Sequence, residues 1–270
     1  MPSKKSLIPV FLCLLFFISL SCKDDPKSVS EVEENNAALT KAGTNTMDPD
    51  EEWQLIVNAQ LDSLFPMYTK NAYKVSAKGD MVNGNMNIMD LYKGKGLVIN
   101  TITSKQRITA VLDSTVVYEI GNFSTPDRTS YAHFIIWRKG DNRTKRELEL
   151  VARRVQNTPI PKELEQRRNE WMALCNAHKV ADLVTEMYTE NTLYYSHRPM
   201  VVGREAVIKE YGYMNSEDYQ LHLKPLVLEA VNETLVFEIG QCSGTYPGNY
   251  VLVWRKDTDG AWRILLDSNI

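Results

Sequence analysis

The chain has 270 residues, 43% of them hydrophobic and 24% charged, a mixture that supports packed cores and excludes a wholly disordered protein. Its formal net charge is −3, and beyond the two lysines near its start no basic run occurs, which excludes nucleic acid as a partner. None of the four cysteines has the spacing of a zinc site.

Lys4 and Lys5 precede an almost unbroken apolar run from Leu7 to Leu20. About 14 apolar residues fall short of the roughly 20 that span a bilayer as a helix, so residues 1–21 are expected to be a cleaved signal peptide. The run ends in Ser19-Leu20-Ser21-Cys22, which resembles the lipobox of bacterial lipoproteins, with Ser19 where that pattern carries an apolar residue. The resemblance implies lipid attachment through the Cys22 thiol, a membrane partner and a bacterial envelope location. Lys23-Asp24-Asp25 is similar to the signal that takes some of these lipoproteins to the outer membrane and its surface. From Cys22 to Asp50 the chain is acidic and poor in large apolar residues, as at Glu31, Glu33 and Glu34, and is expected to be a flexible tether.

The remainder repeats itself at an offset of about 120 residues. Trp53 answers Trp171, Met67-Tyr68-Thr69-Lys70-Asn71 answers Met187-Tyr188-Thr189-Glu190-Asn191, Val117-Tyr118-Glu119-Ile120-Gly121 answers Val236-Phe237-Glu238-Ile239-Gly240, and Trp137-Arg138-Lys139 answers Trp254-Arg255-Lys256. The order is kept, so the chain is a tandem duplication with a first domain over 51–157 and a second over 158–270. Thr158-Pro159-Ile160-Pro161 makes a stiff junction between them.

In the second copy, Leu164, Trp171, Leu174, Cys175 and His178 recur at helical spacing and predict a helix from Lys162 to about Lys179. A short helix capped by Asp182 runs to Tyr188, Thr192 to Tyr195 forms a strand, and Gly203-Arg204-Glu205 opens a third helix. Four apolar, β-branched strands follow, the last two joined by the hairpin signal Asp257-Thr258-Asp259-Gly260. Tyr250, Leu252 and Trp254 alternate with Val251 and Val253, so that strand is expected to be buried on both faces. Helices first and an antiparallel meander afterwards predict an α+β domain.

These elements, with Val202-Gly203-Arg204-Glu205, Tyr250-Val251-Leu252-Val253-Trp254-Arg255-Lys256 and Gly260-Ala261-Trp262-Arg263-Ile264, resemble the nuclear transport factor 2-like superfamily over residues 162–270. The first copy is assigned by its internal match; its Gly-Arg-Glu turn is missing, with Asp90 to Gly96 in the vicinity. The resemblance implies two cone-shaped domains, each a curved antiparallel sheet wrapped round N-terminal helices. It implies pockets that in some relatives bind ligands and in others isomerise or dehydrate them, and sheets through which the copies pack as an intrachain pseudo-dimer.

In ketosteroid isomerases of this superfamily a carboxylate moves the proton, with a tyrosine and a protonated aspartate as oxyanion site. The matching base positions here are near Ser196 and Ser76, and the aspartate positions near Leu252 and Ile135, so no catalytic residue is assigned. His197 is either a pocket acid or base or an exposed loop residue. His133 and His222 have no second ligand at metal spacing, so neither metal nor cofactor is expected. Glu119 and Glu238 are either pocket carboxylates or solvated positions on the sheets' outer faces, the latter favoured by alternation with Phe237 and Ile239. Trp137 and Trp254 line a pocket or belong to the core. The ligand-pocket candidates are thus Ser76, Glu119 and Trp137 in the first copy, and Tyr194, Ser196, His197, Glu238 and Trp254 in the second. Cys175 and Cys242 are left open as free thiols or a disulfide. The sequence therefore supports an envelope lipoprotein that binds an apolar small molecule or scaffolds another envelope component. The alternative is a cofactor-free isomerase, dehydratase or hydrolase.

Overall fold

The computed structural model describes residues Met47–Ile270. The expected signal peptide, the lipid site at Cys22 and the tether as far as Thr46 lie outside the described residues. Among the described residues no helix is long and apolar enough to cross a membrane.

The first copy runs α1 (Pro49–Ala59), two short 3₁₀ turns, β1 (Tyr68–Ser76), β2 (Met81–Asn83), α2 (Asn85–Lys95), β3 (Thr101–Thr109), β4 (Val116–Ser124), β5 (Ser130–Lys139) and β6 (Thr144–Arg153). The second runs α3 (Glu163–Asn176), α4 (Val180–Met187), β7 (Tyr188–Tyr195), β8 (Val201–Val202), α5 (Arg204–Glu210), a 3₁₀ turn (Tyr211–Asn215), β9 (Leu221–Asn232), β10 (Leu235–Gly244), β11 (Gly248–Lys256) and β12 (Trp262–Asn269). The two sheets have the same strand order, β2-β1-β6-β5-β4-β3 and β8-β7-β12-β11-β10-β9, as a duplication requires.

Neither sheet is purely antiparallel: β1 pairs parallel with β6, and β7 parallel with β12. Parallel pairing needs a long crossover, and here the intervening helix and meander supply it. Side-chain periodicity reports which face a residue occupies but not the direction of a distant partner strand, so the sequence did not carry this feature.

Local chemistry sets the helix starts. Asp48 caps α1 by accepting from the Asp50 amide at 2.9 Å, with Pro49 at the first helical position. The helix thereby takes in Asp50, which composition grouped with the tether. Asp182 does not cap α4; it lies in the first turn, where a carboxylate favours the helix dipole, and Asn215 Oδ1 accepts from the Val180 amide at 3.2 Å. The glycine turn of the second copy also has a counterpart in the first. Gly84 (φ +93°) and Gly203 (φ +84°) precede α2 and α5, and each amide donates back to the first strand of its copy, to Ala72 and Thr192. The turn in the first copy is thus Val82-Asn83-Gly84-Asn85, upstream of the Asp90–Gly96 stretch, which lies in and just after α2.

Each sheet is apolar on both faces. One face closes on the helices of its own copy, and the other faces of the two sheets share a single buried core. Phe134 meets Phe237 edge-on with ring centroids 6.3 Å apart, and Tyr73 meets Tyr195 at 5.7 Å. Polar links fringe this seam: the Tyr195 hydroxyl donates to Glu147 at 2.5 Å, the Val111 amide to Asn249 at 2.8 Å, and Lys105 pairs with Glu229 at 2.8 Å.

Candidate functional site

A tryptophan, two tyrosines and a carboxylate recur inside both cones. In the second copy, Trp171 Nε1 donates to the Tyr188 hydroxyl at 3.0 Å, and Tyr188 and Tyr211 both donate to Asp267, at 2.6 and 2.5 Å. In the first, Trp53 Nε1 donates to Tyr68 at 3.0 Å, Tyr68 donates to Glu149 at 2.6 Å, and Tyr92 also donates to Glu149. Parallel pairing aligns each carboxylate with β1 or β7, setting Glu149 beside Lys74 and Asp267 beside Tyr194.

Lys74 makes the environments opposite in charge. Its ammonium pairs with Glu149 and lies 2.7 Å from the Tyr92 hydroxyl, and Arg146 donates to Glu149 at 2.7 Å from between the Trp53 and Trp137 rings. Burial pushes Glu149 up, but the charges of Lys74 and Arg146 outweigh it and hold this carboxyl well below its usual range. Asp267 has no cation among its hydrogen-bond partners. Burial is again the largest effect, the two tyrosines only partly offset it, and Asp267 is pushed up to about 6.

A second buried carboxylate in each copy lies on β4 or β10. Glu238 receives a two-pronged contact from Arg168 (2.7 and 2.9 Å), the Tyr250 hydroxyl (2.7 Å) and Trp254 Nε1 (2.8 Å). Glu119 receives Arg107 (2.5 Å), Trp137 Nε1 (2.9 Å) and the His133 ring (3.0 Å). The Glu-Ile-Gly of the repeat now has a physical cause. Gly121 pairs across the ladder with His133, and Gly240 with Tyr250. A Cβ on either glycine would overlap the partner's ring, so glycine lets that ring lie across the strand and reach the glutamate.

These glutamates are therefore not solvated positions on an outer face: both are 0% exposed. The alternation with Phe237 and Ile239 is real, but it separates the helix side of the sheet from the shared seam, and both are dry. Nor is Glu119 raised by desolvation, because hydrogen bonding from His133 and the Arg107 charge overcome the effect of burial. Trp137 and Trp254 are core residues whose indoles donate to these glutamates.

His133 does have carboxylates beside it. Asp50, Glu119 and His133 offer ligand atoms within 4.8 Å of one another. Arg107 and Arg146, however, already donate to Asp50 at 3.1 and 2.7 Å, and Arg107 to Glu119, so a divalent ion would compete with two fixed guanidinium groups. The donor set fits a salt-bridge network better than a metal site.

The cones differ most in their empty space. The first holds a cavity of about 380 Å³, with Lys74 and Tyr92 among its lining, apolar walls from Val82, Leu91, Leu97 and Phe123, and Ser76, Asp80, Lys95 and Arg153 contributing the other polar groups. The second holds only about 40 Å³. Its 3₁₀ turn after α5 brings in Met214, a core residue, and Tyr213, whose ring meets Tyr211, Tyr219 and Tyr246 edge to face, whereas α2 of the first copy continues to Lys95 and stops at Gly96 in the left-handed conformation.

Of the candidates from sequence, only Ser76 lines the open cavity. Tyr194 is a core residue of the filled cone, its hydroxyl donating to Asn269 at 2.6 Å. Ser196 follows the end of β7 and lines neither cavity. His197, exposed and at φ +61°, bonds across the seam to Glu147 and Arg138 of the first copy, so it is no pocket acid or base of its own cone. Cys175 and Cys242 are free thiols, and burial pushes Cys175 up to about 12. Lys74, Tyr92, Glu149 and Asp267 were missed. Their signal lay in the repeat, which sets Glu149 and Asp267 at matching positions behind the matching Tyr68 and Tyr188.

No protein-family model and no curated protein matches the chain. Among solved structures it is similar to a nuclear transport factor 2-like protein of unknown function from Shewanella oneidensis MR-1, at 13% identity and TM-score 0.36 over 40% of this chain and 95% of that one. It is similar to a ketosteroid isomerase-like protein from Erwinia carotovora atroseptica, at 15% identity and TM-score 0.32 over 41% and 98%. A third is a nuclear transport factor 2-like protein with a cystatin-like fold from Novosphingobium aromaticivorans, at 11% identity and TM-score 0.33 over 40% and 79%. Each match spans about the length of one copy. Each copy is an α+β domain with the same strand order, and the two stand in tandem.

Proposed function

We propose that the first copy is a binding cup for an apolar small molecule and that the second is its structural partner, fused to it as a second subunit would be. The contrast between a cavity of about 380 Å³ and one of about 40 Å³ at matching places in one fold carries this reading. The larger volume falls within the roughly 300–1,000 Å³ of small-molecule sites, and its walls are mostly apolar with a few polar groups. Acid-base catalysis is less well supported: Glu149 accepts from Tyr68, Tyr92, Lys74 and Arg146, which uses about all the lone-pair positions a carboxylate has.

A neutral fluorophore such as N-phenyl-1-naphthylamine tests the cup. It should bind the folded domains at one site per chain, and Val82→Trp with Leu91→Trp should weaken it at least tenfold while leaving cooperative unfolding intact. Binding unchanged by these substitutions would remove the cup.

The N-terminal segment supports a lipid anchor at Cys22 and a place on the bacterial envelope, with the tether holding the domains off the membrane. Replacing Cys22 by alanine should release the full chain from the membrane fraction, and retention there would contradict the anchor.

A further inference from the structure

The polar groups lining the cup are unbalanced in charge. Lys74, Lys95 and Arg153 line it against one carboxylate, Asp80. Lys74 is neutralised by Glu149, but among the described residues Lys95 and Arg153 have no acidic partner. Unpaired surface cations are common, and position distinguishes these two: they stand on a cavity whose walls are mostly apolar. The repeat adds an independent comparison. Where the open cone has Lys74 and Lys95, the filled one has Tyr194 and Met214, both packed in its core. The second copy thus has neither the larger cavity nor these two lysines. Lys74 itself is lowered, first by burial and in part by the nearby Lys95 charge, which places the two ammonium groups in one field.

We infer that the ligand of the first cone is an amphipathic anion, its acidic head group held by Lys95 and Arg153 and its apolar body by Val82, Leu91, Leu97 and Phe123. This rests on the cup reading above. A carboxylate and a phosphate monoester share the required chemistry. Both give charge-assisted hydrogen bonds to these donors, whereas an alcohol of the same chain gives only neutral acceptors and a primary amine is repelled.

Competition against N-phenyl-1-naphthylamine with octanoate, octyl phosphate, 1-octanol and octylamine separates the possibilities. At least one of the two anions should displace the fluorophore at concentrations tenfold or more below octanol, and octylamine should be weaker still. In a Lys95→Met, Arg153→Met double variant the ratio of anion to alcohol should fall to near one, with the unfolding midpoint unchanged because both side chains are exposed. The relative strength of octanoate and octyl phosphate identifies the head group. Octanol as effective as both anions, or an anion preference that survives the double variant, would overturn the inference and leave the cup standing. Failure of the neutral fluorophore to bind at all would remove the cup and the inference together.

Discussion

Glu149 and Asp267 occupy the same place in two copies of one fold and accept from the same pair of tyrosines, yet one is held as an anion and the other is pushed toward its neutral form. The difference lies in the neighbours. Lys74 and Arg146 surround Glu149, while Tyr194 and Ile264 stand at the matching positions beside Asp267. The fold supplies a buried carboxylate position, and a few side chains around it determine whether it is held as an anion beside an open cavity or takes up a proton more readily within a filled one.

The largest test of this comparison is Glu149→Gln. It leaves Lys74 and Arg146 buried without their anion and should cost about 3–5 kcal/mol in urea unfolding. A loss below about 1 kcal/mol would show that the cations are not held by this carboxylate. The matching change, Asp267→Asn, should behave oppositely. Both tyrosines meet the same carboxylate oxygen, so the amide oxygen can still accept from both, and stability near pH 8 should equal or exceed that of the parent.

The pH dependence sharpens the contrast. Asp267 is raised from 3.8 to about 6, so folding favours its protonated form. Its contribution is fully present below about pH 4, is lost as pH rises toward 6, and stays lost above that. A shift of about two units corresponds to about 3 kcal/mol, which should appear as the difference between the stability curves of the parent and Asp267→Asn. Parallel curves would contradict the raised Asp267 carboxyl.

Smaller effects test what the two copies share. Gly240→Ala should cost about 1–3 kcal/mol, because the new Cβ overlaps the Tyr250 ring and pulls it off Glu238. That cost should largely vanish in a Tyr250→Ala background, and its persistence there would place the strain elsewhere. Smallest of all, His197→Ala should change stability by less than about 1 kcal/mol, since its link to Glu147 lies at the exposed edge of the seam. A larger loss would make this contact central to the seam.

The sequence carried the duplication, the order of helices and strands, and the double-sided burial of the Tyr250–Arg255 strand, because repeats and period-two alternation are local signals. It carried the site poorly. Glu147-Leu148-Glu149-Leu150 alternates like a strand with one wet face, yet Leu148 and Leu150 face the seam and Glu149 faces the cone, so both faces are dry. Alternation distinguishes the faces of a strand; what covers each face depends on elements far along the chain. The same reason hid the surroundings of Glu119 and Glu238, whose partners come from α3, β3 and neighbouring strands. The parallel pairing of first and last strands joins Lys74 to Glu149, and no local pattern announces it.

In the proposed reading one cone is open to a ligand and its duplicate is filled. Methyl NMR of the protein labelled at leucine and valine tests it most directly, with N-phenyl-1-naphthylamine added. Shifts are expected at Val82, Leu91, Leu97 and Val151, which line the first cavity, and none at Leu221, Leu223 and Leu252, which line the second. Shifts confined to the second group, or shared equally by both, would contradict it.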